Sequence, residues 1–472
     1  MDAIQWIEDK KDLFTNISDQ IWSFAETGFL ETHSARLLAD ALKNGGFAVE
    51  NGIADIPTAF VASYGSESPV IAILGEYDAL PGLSQKTVSE QQPVEEGGNG
   101  HGCGHNLLGT GALAAAMAVK EAIVAGDVKG TIRYYGCPAE ENGSGKAFMV
   151  KEGVFDDVDI ALTWHPGMFN GSFSMNLLAN YKVKFKFHGR ASHAAADPQN
   201  GRSALDAVEL MNVGVNYLRE HIIQEARVHY VITNGGGIAP NVVPPYAESF
   251  YMIRAPQPDQ LKPIYKRVLQ VAQGAALMTG TKVESVLVAG ASNIVYNGTI
   301  VDVLMEQMGS ITPPTFSNED NQFAQGLSTT FPEGGVDSGF ARLLGPDILQ
   351  ILKKVQKGQL FEGVLPAFKK DVTLPGSSDV GDVSWVTPTG QIMTTCQAFG
   401  TPAHSWQQVA QSGMGIGHKG MLYAGKVLAM SALEFLQKPE LVSQAKKEFA
   451  DWIAENPFVP LIPDGVKAPL PK

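Results

Sequence analysis

The chain has 472 residues, of which 44% are hydrophobic and 18% charged, and it carries a formal net charge of −14. That length exceeds one ordinary core, so two domains are expected, each able to bury enough apolar surface to fold. The acidic balance speaks against nucleic acid and anionic membranes as partners, since both select clustered basic residues, and it favours small neutral molecules or metal cations.

The three cysteines, Cys103, Cys137 and Cys396, are odd in number and widely spaced. They form no disulfide framework, which fits a reducing compartment. Asp2, Glu8 and Asp9 stand where a secretory leader needs basic charge. No apolar run is read as reaching the roughly 20 residues that cross a bilayer, so no membrane partner and a cytoplasmic location are expected.

In chain order, residues 3–26 place Ile4, Ile7, Phe14, Ile17, Ile21, Trp22 and Ala25 at helical spacing. A second amphipathic helix is predicted from Thr32 to Leu42, ended by Gly45-Gly46. Thr58–Tyr64, Val70–Leu74, Thr131–Tyr135 and Ile160–Thr163 read as short strands, with a helix over Leu107–Val124. This alternation predicts an α/β sheet with several parallel strands, whose carboxyl ends gather ligands. Gly75-Glu76-Tyr77-Asp78, Cys137-Pro138-Ala139-Glu140-Glu141 and Trp164-His165-Pro166 each follow one of those strands.

Near residue 180 the pattern changes, because Tyr181–His188 alternates apolar and polar side chains as a half-exposed antiparallel strand does. A helix over Ser203–His221, strands at Val228–Thr233 and Glu248–Arg254, and a helix after Pro263 complete a small α+β unit that closes near Asn297. The expected fold class is therefore α/β, with a mixed, largely parallel sheet flanked by helices in residues 1–180 and 298–472. A smaller α+β unit, 181–297, is inserted between them. Residues 313–378 are glycine- and polar-rich and read as an elaborated surface or a partner contact. A long helix near Met421–Leu436 and a Pro-rich tail, Pro457–Lys472, end the chain.

The run Gly98-Asn99-Gly100-His101-Gly102-Cys103-Gly104-His105-Asn106 sets a thiolate and an imidazole two residues apart in a glycine-rich loop. Sulfur and imidazole nitrogen are the ligands that zinc-like ions select, and the glycines let both side chains reach one ion. Glu140-Glu141 is either a solvated loop pair or two carboxylates whose repulsion a cation relieves, one as ligand and the other free to act as a base. His165 and His404 are each suggestive only in company. Together Cys103, His105, His165, His404 and Glu141, with Glu140 left over, are the inventory of a dinuclear site. In such sites two ions roughly 3.5–4 Å apart hold a bridging water, lower its pKa toward about 7 and polarise a carbonyl. A free carboxylate then carries the proton to the leaving amine, a role that falls to Glu140 with Glu141 as ligand.

At this point the chain resembles the dinuclear-metal aminoacylases and carboxypeptidases that hydrolyse N-acyl amino acids. Within them it is most similar to the subgroup formed by the B-type subunits of aminobenzoyl-glutamate hydrolase and the indoleacetyl-amino-acid hydrolases. The motifs are Gly75-Glu76-Tyr77-Asp78-Ala79-Leu80-Pro81, the Cys103-x-His105 loop, Pro138-Ala139-Glu140-Glu141, Gly189-Arg190-Ala191-Ser192-His193, Ala239-Pro240-Asn241-Val242-Val243-Pro244, and Ala403-His404-Ser405-Trp406 running on to Gly417-His418-Lys419-Gly420. The resemblance implies two divalent ions per subunit, zinc or manganese, on Cys103, His105, Glu141, His165 and His404, with Glu140 as general acid/base. It also implies that the inserted unit mediates dimerisation and covers the site. His193 would then stabilise the charge on the substrate carbonyl, often across a dimer, with Asn241 assisting and Arg254 meeting a substrate carboxylate. The partner would be a second copy or a homologous subunit.

Two departures are visible. Asn106 stands where many relatives carry aspartate, and Glu76-Tyr77-Asp78 replaces a His-x-Asp pair. Glu76 and Asp78 are therefore left out of direct metal contact, with Asp78 expected to orient a ligand. Asp379 matches a loop near the substrate and is given no role. The expected function is metal-dependent hydrolysis of an amide joining an aromatic acyl group to an amino acid, as in p-aminobenzoyl-glutamate. The alternatives are a dipeptidase or general aminoacylase with the same site and, from another class, a non-catalytic metal-binding regulatory subunit.

Overall fold

The computed structural model describes residues 1–332, 346–368 and 373–471. Its larger sheet has seven strands in the order Ala48–Asn51, Phe60–Tyr64, Thr131–Cys137, Val70–Glu76, Ile160–Gly167, Thr389–Thr395 and Gly171–Ser172. The four strands in the middle run parallel, and antiparallel pairs close both edges. In the Val70–Glu76 strand Ile71, Ala72, Ile73 and Leu74 are all fully buried. A strand covered on both faces reads as a continuous apolar run, which is why it is visible in the sequence.

One covering helix is His105–Val124, which packs with Gly415–Gln437 in the main core. Its close fit needs small residues. A Cβ at Gly109 would sit 2.6 Å from the Glu76 carbonyl oxygen, and one at Gly111 would sit 2.8 Å from the Trp164 ring. This helix corrects the reading that no apolar run approaches a membrane span. By length and composition it could cross one, with a mean hydropathy of 1.6, yet 72% of that window is buried inside the protein. Its apolarity is that of a largely buried core helix.

The second sheet has four antiparallel strands, ordered Lys282–Ala291, Ala179–His188, Tyr246–Ala255 and Arg227–Asn234. One of its faces, with Tyr181, Val183, Phe185, Tyr251 and Ile253, is buried under the helices Ala204–Leu218 and Pro258–Thr279. The α/β class and the small α+β unit read from the sequence are both present.

Other boundaries move. The first helix is two, Ala3–Asp9 and Lys11–Phe24, broken at Lys10. The helix placed after Pro263 starts at Pro258, where a proline costs nothing in the first turn, and Pro263 lies inside it. The Ile160 strand runs on to Gly167 because Thr389–Thr395 pairs along its whole length. His165 is therefore on the strand and not in the loop after it. The segment 313–378 contains the helices Asn318–Ser328, closed by a Ser317/Asp320 capping box, and Pro346–Leu352. Residues 333–345 and 369–372 of that segment lie outside the described residues.

Candidate active site

The carboxyl ends of the parallel strands converge on one polar cluster, which the tight turns between strand and helix build. Gly104 has φ 76°, a left-handed conformation that glycine adopts freely, and it turns the Cys103 loop directly into the His105 helix. After the Thr131–Cys137 strand, Ala139 and Ser144 have φ 58° and 52° on either side of Glu140-Glu141, and His404 has φ 51°. Non-glycine residues pay roughly 1–2 kcal/mol for that region. Such strain persists only where surrounding contacts impose it.

The contacts here are two buried carboxylates. Glu31 accepts from the Ala139 amide at 2.8 Å, and Asp78 accepts from the Glu141 amide at 2.9 Å. The other Asp78 oxygen lies 2.7 Å from His105 Nδ1. One carboxylate thus fixes the backbone of Glu141 and the ring of His105, the orienting contact expected of Asp78. Burial and the neighbouring Asp78 push the Glu31 carboxyl up to about 8.

The side chains form overlapping groups whose ligand atoms lie within 4.8 Å of one another: Cys103, His105 and His165; Cys103, Glu141 and His404; Glu76, His105 and Glu140. The first two groups hold all five sequence-derived ligand candidates and share the Cys103 sulfur. Cys103 Sγ is 3.4 Å from His165 Nε2, and His404 Nε2 is 3.5 Å from a Glu141 oxygen. The Pro166 carbonyl, 2.8 Å from His165 Nδ1, leaves Nε2 turned toward the sulfur. His105 Nε2 and Glu141 Oε1 are buried without a hydrogen-bond partner, although Glu76 Oε2 lies 3.3 Å from that nitrogen. Orphaned donors and acceptors are costly, and both atoms belong to residues of the groups that share Cys103.

The electrostatics agree with a cation site. Burial and then Glu140 push the Glu141 carboxyl up to about 8, while burial and then Glu76 raise Glu140. Burial brings the His165 imidazole down to about 3, so it is a neutral donor. Burial and then Glu141 raise the Cys103 thiol, a condition that a bound cation reverses. The residues present fit divalent ions by donor type, convergence and unmet valence.

The remaining candidates sit apart from this group. His193 and Asn241 are exposed and adjoin each other, with the Ala194 amide 2.9 Å from the Asn241 carbonyl. His193 Nδ1 accepts from the Ala195 and Ala196 amides. Among the described residues neither side chain bonds to the five ligand candidates. Arg254 is half-buried, donates to the Pro375 carbonyl at 2.9 Å and feels the Glu140 charge. Asn106 bonds Ser18 Oγ and the Ser412 carbonyl, a tie between helices.

Sequence reasoning missed one buried cluster outright. Lys146 Nζ lies 2.6 Å from both Glu76 and Asp379, and all three are almost wholly buried. Burial opposes its charge, but Asp379 and Glu76 outweigh that and keep it an ammonium. A lysine in the first turn of the helix Gly145–Lys151, directly before the apolar run Ala147–Val150, was the available signal. Glu31 gave none.

A mixed sulfur, nitrogen and oxygen pocket with a further carboxylate, Glu140, beside it, at the strand ends of an α/β sheet, is the arrangement of a metal-dependent amide hydrolase. The model of Peptidase family M20/M25/M40 matches residues 72–341, and the chain belongs to that family. The B-type subunit of p-aminobenzoyl-glutamate hydrolase from Escherichia coli (strain K12) is 45% identical over 98% of this chain and 96% of its own length. The Xaa-Arg dipeptidase of Mus musculus is 30% identical over 95% and 91%. A crystal structure of a dinuclear metal-binding M20 peptidase from Bacillus subtilis superposes with a TM-score of 0.54 at 17% identity, covering 91% of this chain and 99% of that one. It shows the same fold.

Proposed function

We propose that this chain hydrolyses the amide bond of N-acyl amino acids with an aromatic acyl group, p-aminobenzoyl-glutamate among them. The observation that carries the reading is the pair of ligand groups sharing the Cys103 sulfur, with Glu140 beside them. Support comes from the 45% identical hydrolase subunit, which aligns over nearly the whole chain. Cys103, His105 and His165 would hold one divalent ion, and Cys103, Glu141 and His404 a second, zinc or manganese. When bound, such ions lower the pKa of water and polarise a carbonyl.

The chain's own residues then do the following. Glu140 takes a proton from the attacking water and passes it to the leaving amine nitrogen. Asp78 holds His105 and the Glu141 backbone in place, which preserves the geometry through turnover. Residues 181–297 form the dimerisation and lid unit. From it Arg254 meets the substrate carboxylate, and His193 with Asn241 donates to the carbonyl oxygen as charge develops there. Their exposed position in one subunit is consistent with service across a dimer. The partner is a second copy or, since the 45% identical relative is itself one subunit of a hydrolase, a homologous subunit.

The test is hydrolysis of p-aminobenzoyl-glutamate by the full chain. Chelation should abolish it and zinc or manganese restore it. A protein that turns over after complete metal removal overturns the proposal. The 30% identity to a dipeptidase favours a second reading, in which kcat/KM on dipeptides exceeds that on N-acyl amino acids in the same panel.

A further inference from the structure

The small sheet presents one face to its own helices, and at one end of the other face Lys182 reaches the Glu141 carbonyl. In the register of the Ala179–His188 and Tyr246–Ala255 strands, Lys182 lies opposite Met252 and Asn180 opposite Arg254. Side chains alternate across a strand, so Asn180, Lys182, Met252 and Arg254 share the face away from the helices, while Tyr181, Val183, Tyr251 and Ile253 fill the core on the other. Lys182 and Arg254 are diagonal neighbours on that face, within mutual reach for long side chains.

Both cations lack an acid of their own. Lys182 is only 5% exposed, and its ammonium makes one hydrogen bond, to the Glu141 carbonyl at 2.8 Å. Arg254 donates to the Pro375 carbonyl and otherwise meets the Met252 sulfur. Among the described residues no carboxylate oxygen pairs with either. Glu248, the acid on the same face, is taken by Lys184, Thr233 and Tyr246. The strongest attractive charge on each is that of Glu140. Beside them Asn180 is 2% exposed, and its Oδ1 has no partner.

A buried ammonium with one of three donors used and no counter-ion is costly, and a second cation next to it adds repulsion. Two anionic groups a few bonds apart would satisfy both. We infer that Lys182 is a specificity-determining residue that reads a second carboxylate, so that the chain prefers N-acyl derivatives of dicarboxylic amino acids, with Arg254 on one carboxylate and Lys182 on the other. The inference rests on the hydrolytic reading above for the position of the scissile amide. It does not need turnover in order to be measured.

Two readouts separate the two proposals. In the first, metal-loaded wild type, Lys182→Met and Lys182→Arg are assayed on p-aminobenzoyl-glutamate and p-aminobenzoyl-glutamine. The wild type should favour the glutamate compound by about tenfold or more in kcat/KM, the size expected for one charge-assisted hydrogen bond. In Lys182→Met that ratio should collapse toward unity through KM, and Lys182→Arg should keep most of it. Equal loss on both compounds would mean that Lys182 only latches the lid to the Glu141 loop, and it overturns the inference. So does an unchanged ratio.

In the second readout, calorimetric titration of both compounds into metal-loaded Glu140→Gln and Glu140→Gln/Lys182→Met reads the same preference without chemistry. If wild type cleaves neither compound while Glu140→Gln still binds the glutamate derivative at least tenfold tighter, the hydrolytic reading fails and the inference stands. Equal or absent binding of the two compounds overturns the inference.

Discussion

Asp78→Asn tests the site at its most economical point. One Asp78 oxygen faces His105 Nδ1 at 2.7 Å and the other accepts from the Glu141 amide at 2.9 Å, so both oxygens are needed as acceptors. Asparagine keeps the shape but offers one acceptor, and its NH₂ must then face a donor. At least one charge-assisted hydrogen bond is lost, worth about 1.5–3 kcal/mol, or roughly tenfold to a hundredfold in a binding constant. That range is also the usual cost of losing a residue that orients a metal ligand. Competition against a chromophoric chelator should show zinc affinity falling by that factor, and kcat/KM should fall with it. Far-UV circular dichroism and the urea midpoint report whether the fold survives. A variant that folds, binds zinc as the wild type does and turns over normally would refute the role given to Asp78 and weaken the assignment of both ligands it holds.

Cys103→Ser should lose metal occupancy, read by elemental analysis, together with activity, because both ligand groups use its sulfur. Glu140→Gln should retain its metal and lose turnover by at least about a hundredfold, the scale of general acid/base catalysis; near-normal activity would move the proton transfer to another group. Lys146→Met leaves Glu76 and Asp379 buried without their cation, and urea unfolding should show a loss of about 3–5 kcal/mol. A loss under about 1 kcal/mol would mean that the pair is solvated in solution. Asp382, held by the Ser292 amide and hydroxyl, is pushed up to about 7 by burial. A carboxyl raised on folding stabilises fully below its unfolded value near 3.9 and loses that contribution as pH rises through about 7. Between about pH 5 and 8 the wild type should therefore lose more stability than Asp382→Asn, and superimposable pH profiles would contradict the assignment.

The chemistry-bearing residues were legible because each sits where a glycine turn or a strand end interrupts the regular pattern. Cys103-x-His105 stands out first, and Glu140-Glu141 and His404 gain their meaning only beside it. His165 was found for its residue type but placed in a loop, since only pairing with the distant Thr389–Thr395 segment extends its strand. The strand Lys282–Ala291 went unread for a related reason. Its exposed outer half lacks a clean alternation, and it is a strand because it adds to the edge of Ala179–His188.

By itself the sequence determined the α/β class, the inserted unit and the donor inventory, because those follow from local periodicity and residue type. Only the tertiary structure decided that Cys103 belongs to two groups of candidate ligands at once, that Asp78 and Glu31 hold the strained Glu140-Glu141 turn, and that Lys146 and Lys182 are buried beside it. These facts depend on which distant side chains share a low-dielectric space. Charge pairing and unmet hydrogen bonds act through distance and burial, and neither is a property of a position in the chain.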